Sequence, residues 1–120
     1  MANKDYRRQR QNKYHNKRVQ TPYGRFDSQK EYKRFLVLKD MQERGEISGL
    51  ELQPSFLLIP KQTDKNGKVV ERATRYRADF AYLDKTGRYV VEDVKGERTT
   101  AYIMKRKLML ERHGIRIKEV

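Results

Sequence analysis

The 120-residue chain contains no cysteine, no tryptophan and only three prolines. Without cysteine it can form neither disulfides nor thiolate metal sites, which fits a reducing cytoplasm. No apolar run approaches the roughly 20 residues that span a membrane, and the first residues do not have the pattern of a signal peptide. We therefore expect one small cytoplasmic domain.

Negative charge is scarce relative to positive charge. The chain has 29 Lys and Arg against 16 Asp and Glu, a formal net charge of +13. Residues 1–20 hold seven of these cations against the single acid Asp5, and almost no aliphatic side chain. This composition predicts a disordered basic arm over residues 1–22 and a folded domain over residues 23–120.

The arm has three interpretations: contact with nucleic-acid phosphates, a solubilising tail, or attraction to an anionic membrane surface. The rest of the chain is also basic, by +7 (13 minus 6), and the arm shows no amphipathic apolar face. Both facts favour nucleic acid. The candidate phosphate contacts in the arm are Arg7, Arg8, Arg10, Lys13, Lys17 and Arg18.

Residues 76–95 alternate in polarity and are rich in aromatic and β-branched side chains, which predicts a β-hairpin. The intervening sequence Asp-Lys-Thr-Gly suits a three-residue loop closed by Gly87. Such a loop would pair Asp84 with Arg88, and counting back along the ladder then places Asp79 opposite Asp93. Lys95 lies on the same strand face as Asp93.

Directly opposed residues have Cβ atoms about 4.5–5.5 Å apart, so Asp79 and Asp93 would repel each other. A hard cation with oxygen ligands, Mg²⁺ or Mn²⁺, would relieve that repulsion. Lys95 could orient a water and neutralise charge on a phosphate. The alternative is an ordinary surface hairpin whose Asp and Lys are solvated. In so basic a chain, the metal interpretation predicts phosphodiester chemistry.

Two helices and two further strands complete the predicted elements. The first helix follows the capping box of Ser28 and Glu31 and ends at Gly45. Its expected buried face is formed by Tyr32, Phe35, Leu36 and, at the end of the helix, Met41.

Residues 47–59 follow as a strand that Pro54 interrupts, which indicates an edge strand or a bulge. Residues 60–70 are expected to form a polar turn before the hairpin. The second helix is capped by Thr99 or Thr100, ends at residues 113–114, and has an apolar side of Ile103, Leu108 and either Met109 or Leu110. Residues 115–120 form the last strand. No internal repeat is expected.

This order of elements and the Asp79…Asp93-x-Lys95 pattern resemble the PD-(D/E)xK nuclease superfamily. Further support comes from residues 24–28 with Glu31, and from Leu52-Gln53-Pro54. The chain is similar over about residues 24–120 to small phage-encoded members, to nuclease subunits of heteromeric transposases and to phage junction-resolving endonucleases. The resemblance implies an α/β, restriction-endonuclease-like αβββαβ core, with a mixed four-stranded sheet flanked by helices.

The resemblance also assigns roles. Asp79 matches the first acid of the motif, and Asp93 and Lys95 match the second acid and the lysine. Glu31 matches a glutamate that several relatives add from the first helix, although it could serve only as a helix cap. The metal ligands implied are Asp79, Asp93, the Val94 carbonyl and Glu31. Ala78 replaces the proline of the motif, and Asp93 replaces the commoner Glu. The neighbouring Glu92 is the alternative for the acid that faces the metal.

The expected function is Mg²⁺- or Mn²⁺-dependent hydrolysis of DNA phosphodiesters, on branched or recombining phage DNA by analogy. Lys105 is a further candidate phosphate contact and Gln53 a weaker candidate near the site, whereas Arg106 is expected to be solvated. The partners would be DNA and either a second copy or a phage or transposition protein, in the cytoplasm of the host. The alternatives are a non-catalytic nucleic-acid-binding module and a basic structural protein resembling small ribosomal components.

Overall fold

A computed structural model describes residues 18–94 and 98–120. The chain divides into two compact units, Met1–Val37 and Leu38–Val120, and each unit is considered separately. Lys95 and the arm cations Arg7, Arg8, Arg10, Lys13 and Lys17 lie outside the described residues.

The first unit contains a short antiparallel hairpin of β1 (Val19–Thr21) and β2 (Gly24–Phe26), followed by the start of helix α1 (Gln29–Glu43). Phe26 is buried, and its ring lies 5.1–5.2 Å from the rings of Tyr32 and Phe35. The segment 1–22, predicted to be a disordered arm, therefore overlaps a β-strand at its C-terminal end.

Helix α1 begins and ends where its capping residues predict. The Ser28 hydroxyl accepts a hydrogen bond from the Glu31 N–H at 3.1 Å, which is one half of the predicted capping box. At the C-terminus, Gly45 has φ +76°, and the N–H groups of Gly45 and Glu46 donate to the carbonyls of Gln42 and Met41. These two bonds form a Schellman motif, which Gly allows without a Cβ clash.

The buried face of α1 differs from the predicted one. Glu31, Phe35 and Leu38 are buried, at the i, i+4 and i+7 spacing of one helical stripe. Leu36, predicted to be buried, is 40% exposed. The prediction was wrong because it used hydrophobicity alone, which assigns an acid such as Glu31 to the exposed face of a helix.

The second unit is built around a four-stranded mixed sheet with the strand order β10–β9–β8–β3. Strands β3 (Ser48–Leu52), β8 (Phe80–Leu83) and β9 (Tyr89–Asp93) are antiparallel neighbours. Strand β10 (Lys118–Glu119) pairs in parallel with β9 and is shorter than the predicted strand over residues 115–120. The predicted mixed α/β class, with a four-stranded sheet and two helices, is confirmed.

The predicted strand over residues 47–59 and the first strand of the predicted hairpin, over residues 76–83, are both interrupted. The two interruptions face each other. Strand β4 (Ser55–Ile59) pairs with β7 (Thr74–Arg77) separately from the main sheet. Between the two ladders, the Gln53 N–H donates to the Asp79 carbonyl at 2.9 Å, and the Ala78 N–H donates to the Pro54 carbonyl at 3.0 Å. The interruption that Pro54 predicts is therefore present, without a change of register from Leu52↔Phe80 to Ser55↔Arg77, and β3 is an edge strand of the sheet.

The interruption also corrects the predicted strand faces. Continuous alternation over residues 76–83 would place Tyr76 and Ala78 on the face of Phe80. Tyr76 and Ala78 instead share the core with Ala81 and Val91. The alternation shifts at Ala78 and Asp79, which lie between β7 and β8 and belong to neither ladder.

The predicted polar turn over residues 60–70 is a second hairpin, of β5 (Gln62–Thr63) and β6 (Val69–Glu71). Its turn repeats the one between β8 and β9. Asp64 accepts hydrogen bonds from the N–H groups of Asn66 and Lys68, as Asp84 does from those of Thr86 and Arg88. The shared sequence Asp-Lys-x-Gly was a local signal for both turns.

Helix α2 (Thr100–His113) packs against β4 and β7. Thr99 is its N-cap and accepts from the Tyr102 N–H, and Gly114 ends it with φ +66°. Met109 is the buried residue of the predicted pair and Leu110 is exposed. Neither helix in the described part of the chain is long and apolar enough to cross a membrane.

Candidate active site

The register of the β8–β9 hairpin is the one that its turn predicts. Phe80 pairs with Glu92 and Leu83 with Tyr89, and the Asp84 N–H donates to the Arg88 carbonyl. This register brings the end of β9, with Asp93, beside the start of β8. The loop between them therefore determines which residues meet at the far end of the hairpin.

Asp79 lies one residue beyond the regular ladder. Its N–H donates to the Glu92 carbonyl at 3.1 Å, and its Oδ2 accepts from the Val94 N–H at 2.6 Å. The predicted direct pairing of Asp79 with Asp93 is thus replaced by an irregular arrangement, because the regular β8–β9 ladder ends at Phe80 and Glu92. Its effect is to hold the Asp79 carboxylate against the backbone that follows Asp93.

Asp93 is only 5% exposed and accepts a hydrogen bond from the Tyr76 hydroxyl. Burial, this hydrogen bond and the negative charges of Asp93 and Asp79 raise the pKa of Tyr76 far above its ordinary value. Tyr76 therefore remains a hydrogen-bond donor throughout the working pH range. Asp79, which binds the Val94 N–H, and Asp93 thus lie at the same end of the hairpin.

Glu92 faces the opposite way. It is 0% exposed, accepts from the Tyr82 hydroxyl, and has its Oε2 at 3.9 Å from Lys118 Nζ. Strand alternation predicts this separation from Asp93. The choice of Asp93 over Glu92 as the acid of the site follows the observed faces of β9.

A second network adjoins Asp93 on the neighbouring strand. Glu119, which pairs with Asp93 in the parallel ladder, accepts from the Tyr102 hydroxyl at 2.6 Å. Hydrogen bonds, first from Arg98 and then from Tyr102 and Arg106, lower the pKa of Glu119 to about 2. Burial, the bond to Glu119 and the charge of Asp93 raise the pKa of Tyr102.

Arg106 differs from its predicted role as a solvated cation. Its Nη1 lies 3.3 Å from Glu119 Oε2, and its guanidinium carbon lies 5.9 Å from the centre of the Tyr102 ring. The expectation was wrong because the acid that pairs with Arg106 is 13 residues away, on β10.

The donor chemistry of Asp79 and Asp93 fits a hard divalent cation. Carboxylate oxygens are the ligands that suit Mg²⁺ and Mn²⁺. Residues 18–94 and 98–120 contain no group of three or more His, Cys, Asp and Glu side chains that could hold a metal ion. A cation here would therefore rely on this pair together with backbone or water oxygens.

The remaining candidates are separated along the chain. Glu31, 3% exposed, belongs to the first unit, where its N–H completes the Ser28 cap. Gln53 touches the site through its backbone, with its N–H on the Asp79 carbonyl. Lys105 is half-buried on α2. In the first unit, Arg18 Nε lies 4.0 Å from Asp27, between exposed side chains.

Sequence reasoning missed Tyr76 and Tyr102, whose hydroxyl groups reach the two acids at the ends of β9 and β10. Tyr76 was interpreted only through strand periodicity, and Tyr102 was not among the residues assigned to the apolar side of the second helix. A buried tyrosine needs a partner for its hydroxyl group, and nearby acids are natural acceptors. That requirement could have linked Tyr76 to the acids of the hairpin.

Comparison with known proteins places the chain in a family without assigning an activity. Neither the curated proteins nor the solved structures contain a match to it. Residues 11–118 match one family model, described as a protein of unknown function (DUF1064). Since that model spans most of the chain, the protein belongs to the DUF1064 family.

Proposed function

We propose that the protein is a metal-dependent DNA endonuclease with a restriction-endonuclease-like core. One observation carries the proposal: Asp79 binds the Val94 N–H and the preceding residue, Asp93, binds the Tyr76 hydroxyl, so both acids lie at one end of the β8–β9 hairpin. Asp93 is buried and Asp79 is half-buried, and buried acids are costly unless they are hydrogen-bonded, paired or bound to a cation. In a chain with net charge +13, a phosphodiester is the substrate that this charge distribution favours.

The chain's own residues would act as follows. Asp79, held by the Val94 N–H, and Asp93, held by the Tyr76 hydroxyl, would bind the cation through carboxylate oxygens, with the Val94 carbonyl as a third ligand. Lys95, which follows directly, would orient the attacking water. A bound Mg²⁺ would polarise the phosphodiester and neutralise charge on its oxygens. Glu31 remains a candidate through the resemblance alone.

The test compares cleavage and binding in the same variants. We expect the purified protein to nick or cut DNA with Mg²⁺ or Mn²⁺ and to be inactive in EDTA. Asp79→Asn and Lys95→Ala should lower the cleavage rate at least about 100-fold while binding DNA within about twofold of the parent. Asp79→Asn should also weaken Mn²⁺ binding, measured by calorimetry or by electron paramagnetic resonance.

Glu92→Gln is the matched control, because Glu92 lies on the opposite face of the same strand. It should retain cleavage and Mn²⁺ binding. Glu31→Gln keeps a side chain that still suits a capping box, so it should fold normally. If Glu31→Gln cleaves like the parent, Glu31 is only structural. DNA binding by a parent protein that never cuts would instead identify a non-catalytic nucleic-acid-binding module.

A further inference from the structure

An open groove of about 400 Å³ lies between α2 and the C-terminal segment of the second unit. It is lined by Arg106, Lys107, Leu110, Arg116, Ile117 and Glu119. Its volume falls within the range of small-ligand sites. Three cations against one carboxylate give the groove an excess of positive charge, so it favours an anionic ligand.

The cations of the groove are not equivalent. Arg106 is committed to Glu119 at 3.3 Å, and Glu119 also binds Arg98. Lys107 and Arg116 are exposed, and no described carboxylate forms an ion pair with either side chain. The acid that would repel an anion is therefore neutralised, while two cations remain available to bind one.

The wall of the groove also has an apolar part. Ile117 is buried, and Leu110 is 51% exposed. A bare phosphate would leave this surface in water. A nucleotide would place its phosphate near Lys107 and Arg116 and its sugar or base against Leu110.

The groove adjoins the candidate active site. Glu119, which lines the groove, pairs with Asp93 in the parallel ladder, so their side chains share one face of the sheet about 4.8 Å apart in strand spacing. Tyr102 connects the two sites, since its hydroxyl group donates to Glu119 and its pKa responds to Asp93. A strand that presents one phosphate to Asp79 and Asp93 would reach the groove with a neighbouring nucleotide.

We propose that the α2–β10 groove binds one nucleotide of a DNA strand, next to the phosphodiester presented to Asp79 and Asp93. This inference rests on the proposed function for its choice of DNA as the ligand. The groove residues bind and position the strand, and they take no part in the bond-breaking step.

The test measures DNA binding in EDTA by fluorescence anisotropy over a range of salt concentrations. Lys107→Ala/Arg116→Ala should weaken binding at least about tenfold and reduce the slope of log K against log salt by about 1.8, the value for two lost duplex-phosphate contacts. Lys85→Ala/Arg112→Ala removes the same charge types from exposed positions outside the groove. Equal weakening in both double variants would overturn the proposal.

A charge-neutral pair of variants tests the apolar wall. Leu110→Ser should weaken binding about fivefold without changing the salt slope, because it removes apolar contact and no cation. Met104→Ser is the control, since Met104 is 54% exposed on the same helix and outside the groove. An unchanged affinity in Leu110→Ser would contradict a nucleotide in the groove.

Two further measurements separate the ligand sources and the two proposals. Inorganic phosphate and a free mononucleotide should each bind the groove far more weakly than a DNA strand, as followed by amide chemical shifts; equal affinity would overturn the DNA assignment. If the parent never cuts DNA but the groove variants lose binding as expected, only the nuclease proposal fails. If the parent cuts and the groove variants match their controls, only the groove proposal fails.

Discussion

Tyr76 shows how a core residue of this fold can serve the candidate site. Its ring belongs to the hydrophobic core, and its hydroxyl group holds Asp93, 17 residues later in the chain. A hydrogen bond to a carboxylate that binds metal fixes the orientation of that carboxylate, and such partners contribute strongly to metal affinity. Tyr76 thus contributes both to the packing of the core and to the orientation of Asp93.

Tyr76→Phe should therefore reduce Mn²⁺ affinity and the cleavage rate about 10- to 100-fold while leaving metal-free DNA binding unchanged. The phenyl ring retains the packing, and the loss of one hydrogen bond to a charged group should cost about 1.5–3 kcal/mol of stability. Calorimetry with Mn²⁺, single-turnover cleavage and urea unfolding measure the three effects.

Tyr82→Phe provides the control, because Tyr82 is also buried and donates its hydroxyl proton to Glu92 on the other face. It should lose similar stability but retain Mn²⁺ binding and cleavage. Parallel losses of Mn²⁺ affinity in both variants would mean that general destabilisation explains the effect, and Tyr76 would then be only a core residue.

Gln53 has φ +53°, a left-handed conformation that a residue with a Cβ seldom adopts. Strained residues cluster at functional sites, and Gln53 lies beside Asp79 through its backbone hydrogen bond. Gln53→Gly removes the strain, so we expect the protein to become up to about 1 kcal/mol more stable, as measured by urea unfolding.

If the amide of Gln53 also serves the site, the same variant should cleave more slowly despite its greater stability. Gln53→Asn keeps an amide and tolerates the left-handed region, so it should lose less activity than Gln53→Gly. Unchanged cleavage in the glycine variant would limit the role of Gln53 to the backbone conformation between β3 and β4.

At the scale of elements, strand β10 is only two residues long and is held to α2 by side chains. Glu119 accepts hydrogen bonds from Arg98, Tyr102 and Arg106, which lie before and within the helix. Since a two-residue ladder contributes few backbone hydrogen bonds, this network should account for much of the attachment of β10.

Glu119 also makes that attachment sensitive to acid. Its folded-state pKa, about 2, lies below its ordinary value of 4.5, so its contribution to stability is complete above pH 4.5 and disappears as the pH falls towards 2. Glu119→Gln should cost about 1–2 kcal/mol at pH 7 and flatten the decline of unfolding free energy between pH 4.5 and pH 2.

Urea unfolding at several pH values measures this dependence. Glu111→Gln is the control, because Glu111 is exposed on α2. Its unfolding free energy should decline with acid as that of the parent does. The assignment of the acid sensitivity to Glu119 would be wrong if Glu119→Gln kept the slope of the parent.

The elements that the sequence predicts best are those set by local chemistry. The turn at residues 84–87 determines the register of β8 and β9, and the caps at Ser28, Thr99 and Gly114 determine the helix ends. The hairpin at residues 62–71 was equally local, and its Asp64 turn was predictable from the same four-residue pattern. Hydrogen bonds between residues close in the chain can therefore be predicted from short sequence patterns.

The features that escaped prediction depend on distant residues. The break at Ala78 and Asp79 faces the break at Gln53 and Pro54, and neither segment alone defines the combined geometry. Leu38 was missed because the buried stripe of α1 includes the acid Glu31. The meeting of Asp79 and Asp93 at one end of the hairpin was predictable from its turn, whereas the bond between Tyr76 and Asp93 required the folded chain.

At the scale of the whole molecule, positive charge is divided between residues 2–17 and the rest of the chain. Residues 2–17 carry six Lys and Arg and one acid, a net charge of +5, and leave +8 for the remainder. Strand β1 begins at Val19, so deletion of residues 2–17 preserves the β1–β2 hairpin. Residues 2–17 can therefore be deleted without removing any residue that the structure describes.

We expect the deletion to leave urea unfolding unchanged and to weaken DNA binding, with a salt slope lower by up to about 5 if all six cations contact duplex phosphates. Phosphate contacts release counterions without reading sequence, so an arm with the same residues in scrambled order should bind like the parent. An unchanged slope after deletion would exclude the arm from the DNA interface. Weak binding by the scrambled arm would show that residue order matters, and the purely electrostatic role would then be wrong.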